Sequence, residues 1–345
     1  MPVRMRFAVI GLLLAGILVA LAGFRRVPVT EFVAGRAVAS VAIGTRPNDA
    51  GSARGIDGRE YGPLTFASNG RLTVVADTYR SRLLYFTARR PVRAVPLPDA
   101  MVEDMAVSRS GHVLAADNRA LSLWFLGPQG NRKVMSLPHD RGYTEALWRV
   151  GLAPGNRLLV EWVRFGRGSF SSRLDEYNDH GKLIRTLAES TLSRSGYEPL
   201  SGTSIGSPVR SFQVAPDGSI YVEPEDVNAA SRVIRIYRQN GLPLGHVVIH
   251  PPGYVRRTDF LGIDGRGWIY LALNLHERHR ARLLVVDSQG RTIADLKVRA
   301  VPLYAATYGR VLPSGELLLD QSTRSRYRIE VFRPVTRLVW RWRGI

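Results

Sequence analysis

The sequence predicts an all-β fold: a six-bladed β-propeller of four-stranded antiparallel blades, preceded by one N-terminal hydrophobic helix. Similar units recur roughly every 40 to 50 residues, and a glycine-containing turn occupies the same place in each unit. Short apolar runs rich in β-branched and aromatic residues separate the turns. Strands of this kind, repeated six times, fit blades around an axis. We assign residues 1–26 to a membrane anchor or signal peptide, 27–60 to a linker with a candidate closing strand, and 61–345 to the propeller.

The N-terminal hydrophobic segment, Phe7 to Phe24, contains no charged residue. As an α-helix this run is just long enough to cross a membrane. Either the helix is retained as a single-pass anchor, or it is a secretory signal cleaved near Ala22. Arg25 and Arg26 follow the apolar run directly and favour the anchor. Both alternatives predict that the rest of the chain is extracytoplasmic.

Each propeller unit begins with a hairpin that turns at a glycine, a residue that adopts the positive φ angles of tight turns. The turn dipeptides are Asn69-Gly70, Ser110-Gly111, Pro154-Gly155, Asp217-Gly218, Arg266-Gly267 and Ser314-Gly315. Second turns follow in GPQG (127–130), NDHG (178–181), RQNG (238–241) and DSQG (287–290), and TARRP (87–91) and RPVTR (333–337) replace them in units one and six. Between units three and four an insertion, 186–208, is rich in serine and glycine, and we interpret it as a loop.

The sequence does not decide which strand completes the last blade and closes the ring. The apolar run 37–43 lies where an outer strand should precede the first blade, and RLVWRWRG (337–344) also fits an outer strand of the last blade. Either the last blade has five strands, or one of these runs is not a strand.

Several units resemble NHL-type repeats. ADTYRSRLLYF (76–86) is similar to the core of such a repeat and SFQVAPDGSIYV (211–222) to its opening strand pair, with weaker similarity in 104–117 and 258–272. The resemblance extends over roughly residues 60 to 345 and implies a six-bladed propeller of the NHL/TolB-like superfamily. Units three and six lack the Ala-Asp-Thr step. The superfamily includes protein-binding, nucleic-acid-binding and enzymatic members, so the resemblance does not select a function.

The chain is strongly basic, with a formal net charge of +19 that is carried almost entirely by arginine. Such a charge attracts polyanions. The chain contains no cysteine, which excludes disulfides and thiol catalysis.

Arginines are concentrated in the loops between the second and third strands of the blades. These loops open on the same side as the connections between blades, and we call this side the loop face. Arg82, Arg173, Arg232 and Arg282 recur at one register and are predicted to be structural. The remaining arginines suit bidentate binding of phosphate or carboxylate. The predicted ligand-binding residues are Arg80, Arg119, Arg164, Arg167, Arg278, Arg280 and Arg324.

No catalytic constellation emerges from the sequence. His276 and His279 form a histidine pair without a third metal ligand, and Asp77, Asp117 and Asp320 recur at the end of strand two, where aspartate caps the following turn. There is no glycine-rich phosphate loop, serine elbow or HExxH motif. We therefore assign no catalytic residue, no metal site and no cofactor, which favours a binding module over an enzyme without deciding the point.

The predicted function is an exported, membrane-tethered and non-catalytic binding or scaffold module with an arginine-rich ligand face. Its predicted partners are a protein or an anionic envelope polymer or lipid, with the membrane contacted through residues 7–24. Export argues against nucleic acid as the partner. The alternative is a metal-dependent lactonase- or lyase-like enzyme built on a six-bladed propeller.

Overall fold

The structure is a computed structural model that describes residues 24–55, 58–127, 132–136, 144–166, 169–193, 196–199, 209–224, 231–253, 255, 258–275, 281–301 and 303–342. These residues form an all-β six-bladed propeller, with one 3₁₀ turn at Thr78–Arg80. Within the described ranges no helix is long and apolar enough to cross a membrane. The predicted helix 7–24 lies outside the described residues except for Phe24, which begins a strand.

Strands account for almost all of the regular structure. In chain order they are β1 (Phe24–Ala42), β2 (Ala53–Arg54), β3 (Glu60–Tyr61), β4 (Thr65–Ser68), β5 (Thr73–Asp77), β6 (Arg82–Phe86), β7 (Pro91–Pro96), β8 (Val102–Val107), β9 (Val113–Asp117), β10 (Ser122–Leu126), β11 (Arg132–Ser136), β12 (Thr144–Ala153), β13 (Arg157–Gly166), β14 (Ser169–Tyr177), β15 (Leu183–Ser193), β16 (Gly196–Pro199), β17 (Val209–Val214), β18 (Ile220–Pro224), β19 (Arg232–Tyr237), β20 (Pro243–Ile249), β21 (Thr258–Ile263), β22 (Ile269–Leu273), β23 (Arg282–Val286), β24 (Thr292–Lys297), β25 (Gly309–Val311), β26 (Leu317–Asp320) and β27 (Arg326–Trp342).

Five blades are consecutive antiparallel sheets: β4–β7, β8–β11, β12–β16, β17–β20 and β21–β24. Blade 3 has a fifth strand, β16, which pairs with β15. Both strands fall largely within 186–208, so the interpretation of that insertion as a loop was wrong. The six predicted first turns are confirmed, because their glycines all have positive φ: Gly70, Gly111, Gly155, Gly218, Gly267 and Gly315.

The sixth blade is closed by the N-terminal strand. Its order is β25, β26, β27 and then β1 on the outside. The third strand of the blade and the run RLVWRW are one continuous strand, β27, so both candidate runs are strands and the blade still has four. The backbone amide of Ser40 in β1 also donates to the carbonyl of Arg89 in blade 1, at 3.0 Å.

The outer parts of the two terminal strands, up to Val33 and from Pro334, belong to a separate compact unit. Within it Thr30 and Thr336 place their hydroxyl oxygens 3.4 Å apart, and Arg337 lies 3.6 Å from Glu31. The propeller unit spans 34–333.

The core lies between neighbouring blades. The second strands β5, β9, β18 and β22 are buried along their whole length, because each is covered by a blade on either side. Between blades 6 and 1 the core includes Ala39, Phe66, Phe86 and Tyr327. Burial of these apolar side chains provides the main stabilisation, roughly 25 cal/mol per Å² removed from water.

Candidate functional site

The arginines predicted to bind a ligand on the loop face already have protein partners where the structure describes them. Arg80 donates to the carbonyl of Gly44 at 2.8 Å. Arg164 in β13 lies 2.6 Å from the buried carboxylate of Glu145 in β12, two residues that face each other in the strand register. These two guanidinium groups therefore help to hold the face together.

Two other loop-face arginines are more accessible. Arg119 lies 3.6 Å from Asp99 and its side chain is 64% exposed, while Arg324 lies 3.0 Å from Glu60 and is 78% exposed. Exposed pairs of this kind contribute little and exchange partners readily. Arg167, Arg278 and Arg280, together with His276 and His279, lie outside the described residues, so the complete arginine ring stays a prediction.

The arginines with a predicted structural role do connect strands to their surroundings. Arg82 donates to the carboxylate of Asp77 at 2.9 Å and to the carbonyls of Pro47 and Asp49. The other three contact polar groups within their own or the next blade: Arg173 with Asp175, Arg232 with Thr258 and Arg282 with Asp295.

The recurring aspartates accept backbone amide hydrogens, and two of the three cap the following turn as predicted: Asp117, which accepts from Arg119 at 3.0 Å, and Asp320. The 3₁₀ turn after Asp77 has no side-chain cap, so the prediction was wrong there. Asp77 accepts from Gly51 and Asp117 from Met101, each at 2.8 Å. Asp320 accepts from Ser322 at 2.8 Å, but its second carboxylate oxygen is buried and has no hydrogen-bond partner. Burial raises the pKa of Asp320 to about 6, against the lowering effect of the Ser322 bonds.

An ion pair joins the innermost strands of distant blades. Arg310 in β25 bonds the carboxylate of Asp104 in β8, and its Nε also donates to the carbonyl of Phe66 in blade 1, at 3.3 Å. The second oxygen of Asp104 accepts the amide hydrogen of Val150 in blade 3, at 2.9 Å. One pair therefore links blades 6, 1, 2 and 3 at the inner edge of the propeller. Sequence reasoning missed it, because only the blade arrangement brings β25 and β8 together.

Several acidic side chains lie on the first and second strands of blades 2 to 5. Glu103 accepts from Asn118 at 2.8 Å; burial raises its pKa, more than the Asn118 bond lowers it. The buried acidic side chains of blades 3 to 5 include Glu145, Glu161, Glu223 and Asp259. In the described part of the chain, however, no three histidine or acidic side chains lie close enough together to hold a metal ion.

An aromatic patch marks the loop-face end of blade 3. It consists of Trp148, Phe165 and Phe170, whose ring centroids lie 6.3 Å (Trp148 to Phe170) and 5.1 Å (Phe165 to Phe170) apart. Trp148 is 41% and Phe165 43% exposed. Trp148 lies at a register shift of β12 between Leu147 and Arg149, and such bulges redirect side chains.

The hairpin that carries this patch is unusually long. β13 has 10 residues and β14 has 9, against 5 in each of β5 and β6. Phe165 and Phe170 are a cross-strand pair on either side of the sequence GRGS (166–169). Two phenylalanines on either side of a short glycine-containing sequence were the signal for this patch, and sequence reasoning did not use it.

No protein-family model matches the sequence, and neither does any curated protein. Among solved structures, the chain is similar to virginiamycin B lyase from Staphylococcus aureus, at 11% identity and a TM-score of 0.43 over 85% of this chain and 82% of the lyase. It is similar to regucalcin, a calcium-binding protein from Agrobacterium tumefaciens, at 18% identity and a TM-score of 0.47 over 78% of this chain and 90% of regucalcin. It is also similar to a gluconolactonase from Xanthomonas campestris, at 12% identity and a TM-score of 0.46 over 89% of this chain and all of that one (100%).

At these identities the similarity concerns the fold alone, and it carries no argument about what this chain binds or does. The resemblance to NHL-type repeats stays a prediction. The similar structures are six-bladed propellers whose own names describe different activities.

Proposed function

We propose that this protein is a non-catalytic binding module that recognises a protein partner with the loop face of blade 3. The aromatic patch formed by Trp148, Phe165 and Phe170 is the observation that carries this proposal. Trp148 and Phe165 are exposed and Phe170 is half-buried, and exposed rings lose the free energy that burial would provide, roughly 25 cal/mol per Å². Exposed apolar clusters with a polar surround mark interaction sites.

The surroundings of the patch fit a protein interface. Arg164 lies next to Phe165 on β13. Its ion pair with Glu145 fixes the direction of the guanidinium group. Tryptophan, tyrosine and arginine dominate the energetics of protein interfaces, usually in the centre of a polar rim. The long β13–β14 hairpin presents the patch on paired strands, so little conformational entropy is lost on binding.

We also propose that the module is exported and tethered to a membrane by residues 7–24. The apolar run and the arginines on both sides of it support this part of the proposal. A binding module of this kind would act next to the membrane that anchors it.

The loop-face proposal is tested by photo-crosslinking in the cell that produces the protein. We expect Phe165→p-benzoylphenylalanine to give a discrete crosslinked protein that disappears when Trp148→Ala is added. The matched control is the same substitution at Leu242, which is 54% exposed and lies after a turn on the opposite side of the propeller. An identical crosslinking pattern at both positions would contradict the proposal.

A metal-dependent enzyme is the second candidate function, and the acidic groups on the loop face favour it. Glu103, held by Asn118, could serve as one oxygen ligand of a divalent cation. Elemental analysis of the purified full chain distinguishes the two functions. The binding module predicts no stoichiometric divalent metal, whereas about one bound ion per chain that is lost in Glu103→Gln would favour the enzyme.

A further inference from the structure

An arginine-lined groove runs around the outer strand of blade 6, away from the aromatic patch. It consists of three adjoining clefts with volumes of about 370, 260 and 410 Å³. Neighbouring clefts share arginines: Arg89 joins the first to the second, Arg326 the second to the third, and Arg328 the first to the third. The arginines that line this groove among the described residues are Arg36, Arg71, Arg89, Arg90, Arg299, Arg326 and Arg328.

The groove is almost uncompensated in charge. Glu330 is the one acidic side chain among its described lining residues, and it pairs with Arg328. Within the described ranges the other six arginines have no carboxylate at ion-pair distance, in contrast to Arg164 and Arg324 on the loop face. Six guanidinium groups without a carboxylate partner, around connected clefts, favour a positive potential, which concave surfaces focus.

Three of the seven groove arginines lie on strands: Arg36 on β1, and Arg326 and Arg328 on β27. Arg326 and Arg328 alternate with the buried Tyr327 along β27, so both arginine side chains leave the same face of the sheet. The turn that carries Arg89 is fixed to β1 by the bond from the amide of Ser40 to the carbonyl of Arg89. Since these positions are set by backbone pairing, the spacing of the charges is largely preformed.

We propose that this groove binds a linear polymer that carries phosphate groups along its backbone. Arginine matches phosphate geometry with two parallel hydrogen bonds. Three open and connected clefts suit successive charged groups of a chain better than a single small anion, which needs one enclosed site. Among the described residues, the aromatic ring that lines the groove belongs to Phe86, which is 1% exposed. Because single-stranded nucleic acids rely on stacking against exposed rings, the groove favours a polymer without bases.

This inference does not depend on the proposed function, since the groove shares no residue with the aromatic patch. The probe is long-chain inorganic polyphosphate, titrated into the purified full chain at several salt concentrations. The groove variant carries Arg89→Glu and Arg326→Glu. The matched control carries Arg109→Glu and Arg238→Glu, two exposed arginines on blades 2 and 4 that give the same change in net charge.

We expect the wild type to bind polyphosphate, with log K falling as log salt rises at a slope of about −3 if about four phosphates are neutralised. The groove variant should bind about a hundredfold more weakly, because each charge-assisted contact contributes roughly tenfold. The control and Trp148→Ala should both bind as the wild type does.

Three results would overturn the inference. Equal losses in the groove variant and the control would mean that net charge alone attracts the polymer. If the wild-type protein does not bind polyphosphate, the groove is not a binding site for phosphate polymers. A single-stranded oligonucleotide with the same number of phosphates that binds at least tenfold more tightly would identify a nucleic-acid groove instead.

Discussion

The carboxyl group of Asp320 lies at the end of β26, fully enclosed between blades 6 and 1. Burial raises the pKa of the Tyr327 hydroxyl, and the nearby charges of Asp320 and Asp77 raise it further. The pKa of Asp320 is raised to about 6, from an ordinary value of 3.8. Between pH 3.8 and about pH 6, Asp320 therefore holds its proton in the folded state but loses it in the unfolded state.

Because the pKa of Asp320 differs between the folded and unfolded states, this one residue makes the free energy of unfolding depend on pH. The stabilisation from the proton on Asp320 is fully present below pH 3.8 and is lost as the pH rises through about 6. At pH 7.5 the buried charge costs about 3 kcal/mol, at 1.36 kcal/mol per pKa unit. We expect Asp320→Asn to raise the free energy of unfolding by about 2 kcal/mol at pH 7.5 and to leave it nearly unchanged at pH 3.5.

Urea unfolding at the two pH values measures this effect. Asp117→Asn is the control, because both carboxylate oxygens of Asp117 accept hydrogen bonds, from Met101, Arg119 and Trp124. That variant should lose stability at pH 7.5. If Asp320→Asn does not raise the free energy of unfolding at pH 7.5, the buried Asp320 carboxylate does not destabilise the folded state.

At the scale of elements, the junction between β1 and its neighbours decides whether the ring of blades is closed. Ala39 is fully buried in the cluster between blades 6 and 1, whereas its neighbour Val38 is partly exposed and lines the arginine groove. Successive residues of a strand point to opposite sides. A charge at one position should therefore have a very different effect from a charge at the next.

We expect Ala39→Asp to lower the free energy of unfolding by about 3 kcal/mol or more, because it buries an unpaired carboxylate. Val38→Asp should cost less, about 1 kcal/mol, because Val38 is only partly buried against the cluster and a carboxylate there can stay in contact with water. Thermal and urea denaturation of the two variants test the register of β1. Equal destabilisation would contradict the closure described above.

At the scale of the whole molecule, the sequence was sufficient for features that are local. Gly70 and its five counterparts specify hairpin turns through their own backbone preference, and the apolar runs between them specify the strands. The number of blades follows from counting these units. The arrangement of β1 and β27 could not be predicted in this way, since no local pattern records which distant strand a strand will join.

The candidate sites show the same division. Loop-face arginines such as Arg80 and Arg324 could be located in the sequence, but their partners Gly44 and Glu60 come from the segment before the first blade. The arginine groove combines residues of β1, blade 1 and the connection after blade 5. The sequence places Arg326 and Arg328 on either side of Tyr327. Which residues surround these arginines depends on the neighbouring blades, which the sequence does not specify.

The closure of blade 6 has a consequence for the biogenesis of the protein. Thr30 and Thr336 are 306 positions apart in the chain and meet across the two terminal strands. During translation the first of these strands leaves the ribosome long before its partner is synthesised, because 306 positions separate the two threonines. The strand must stay unpaired while all the other blades are made, and contacts of such large sequence separation form slowly. Until β27 has been synthesised and released, the nascent chain exposes an open sheet edge that a chaperone can shield or a second chain can capture.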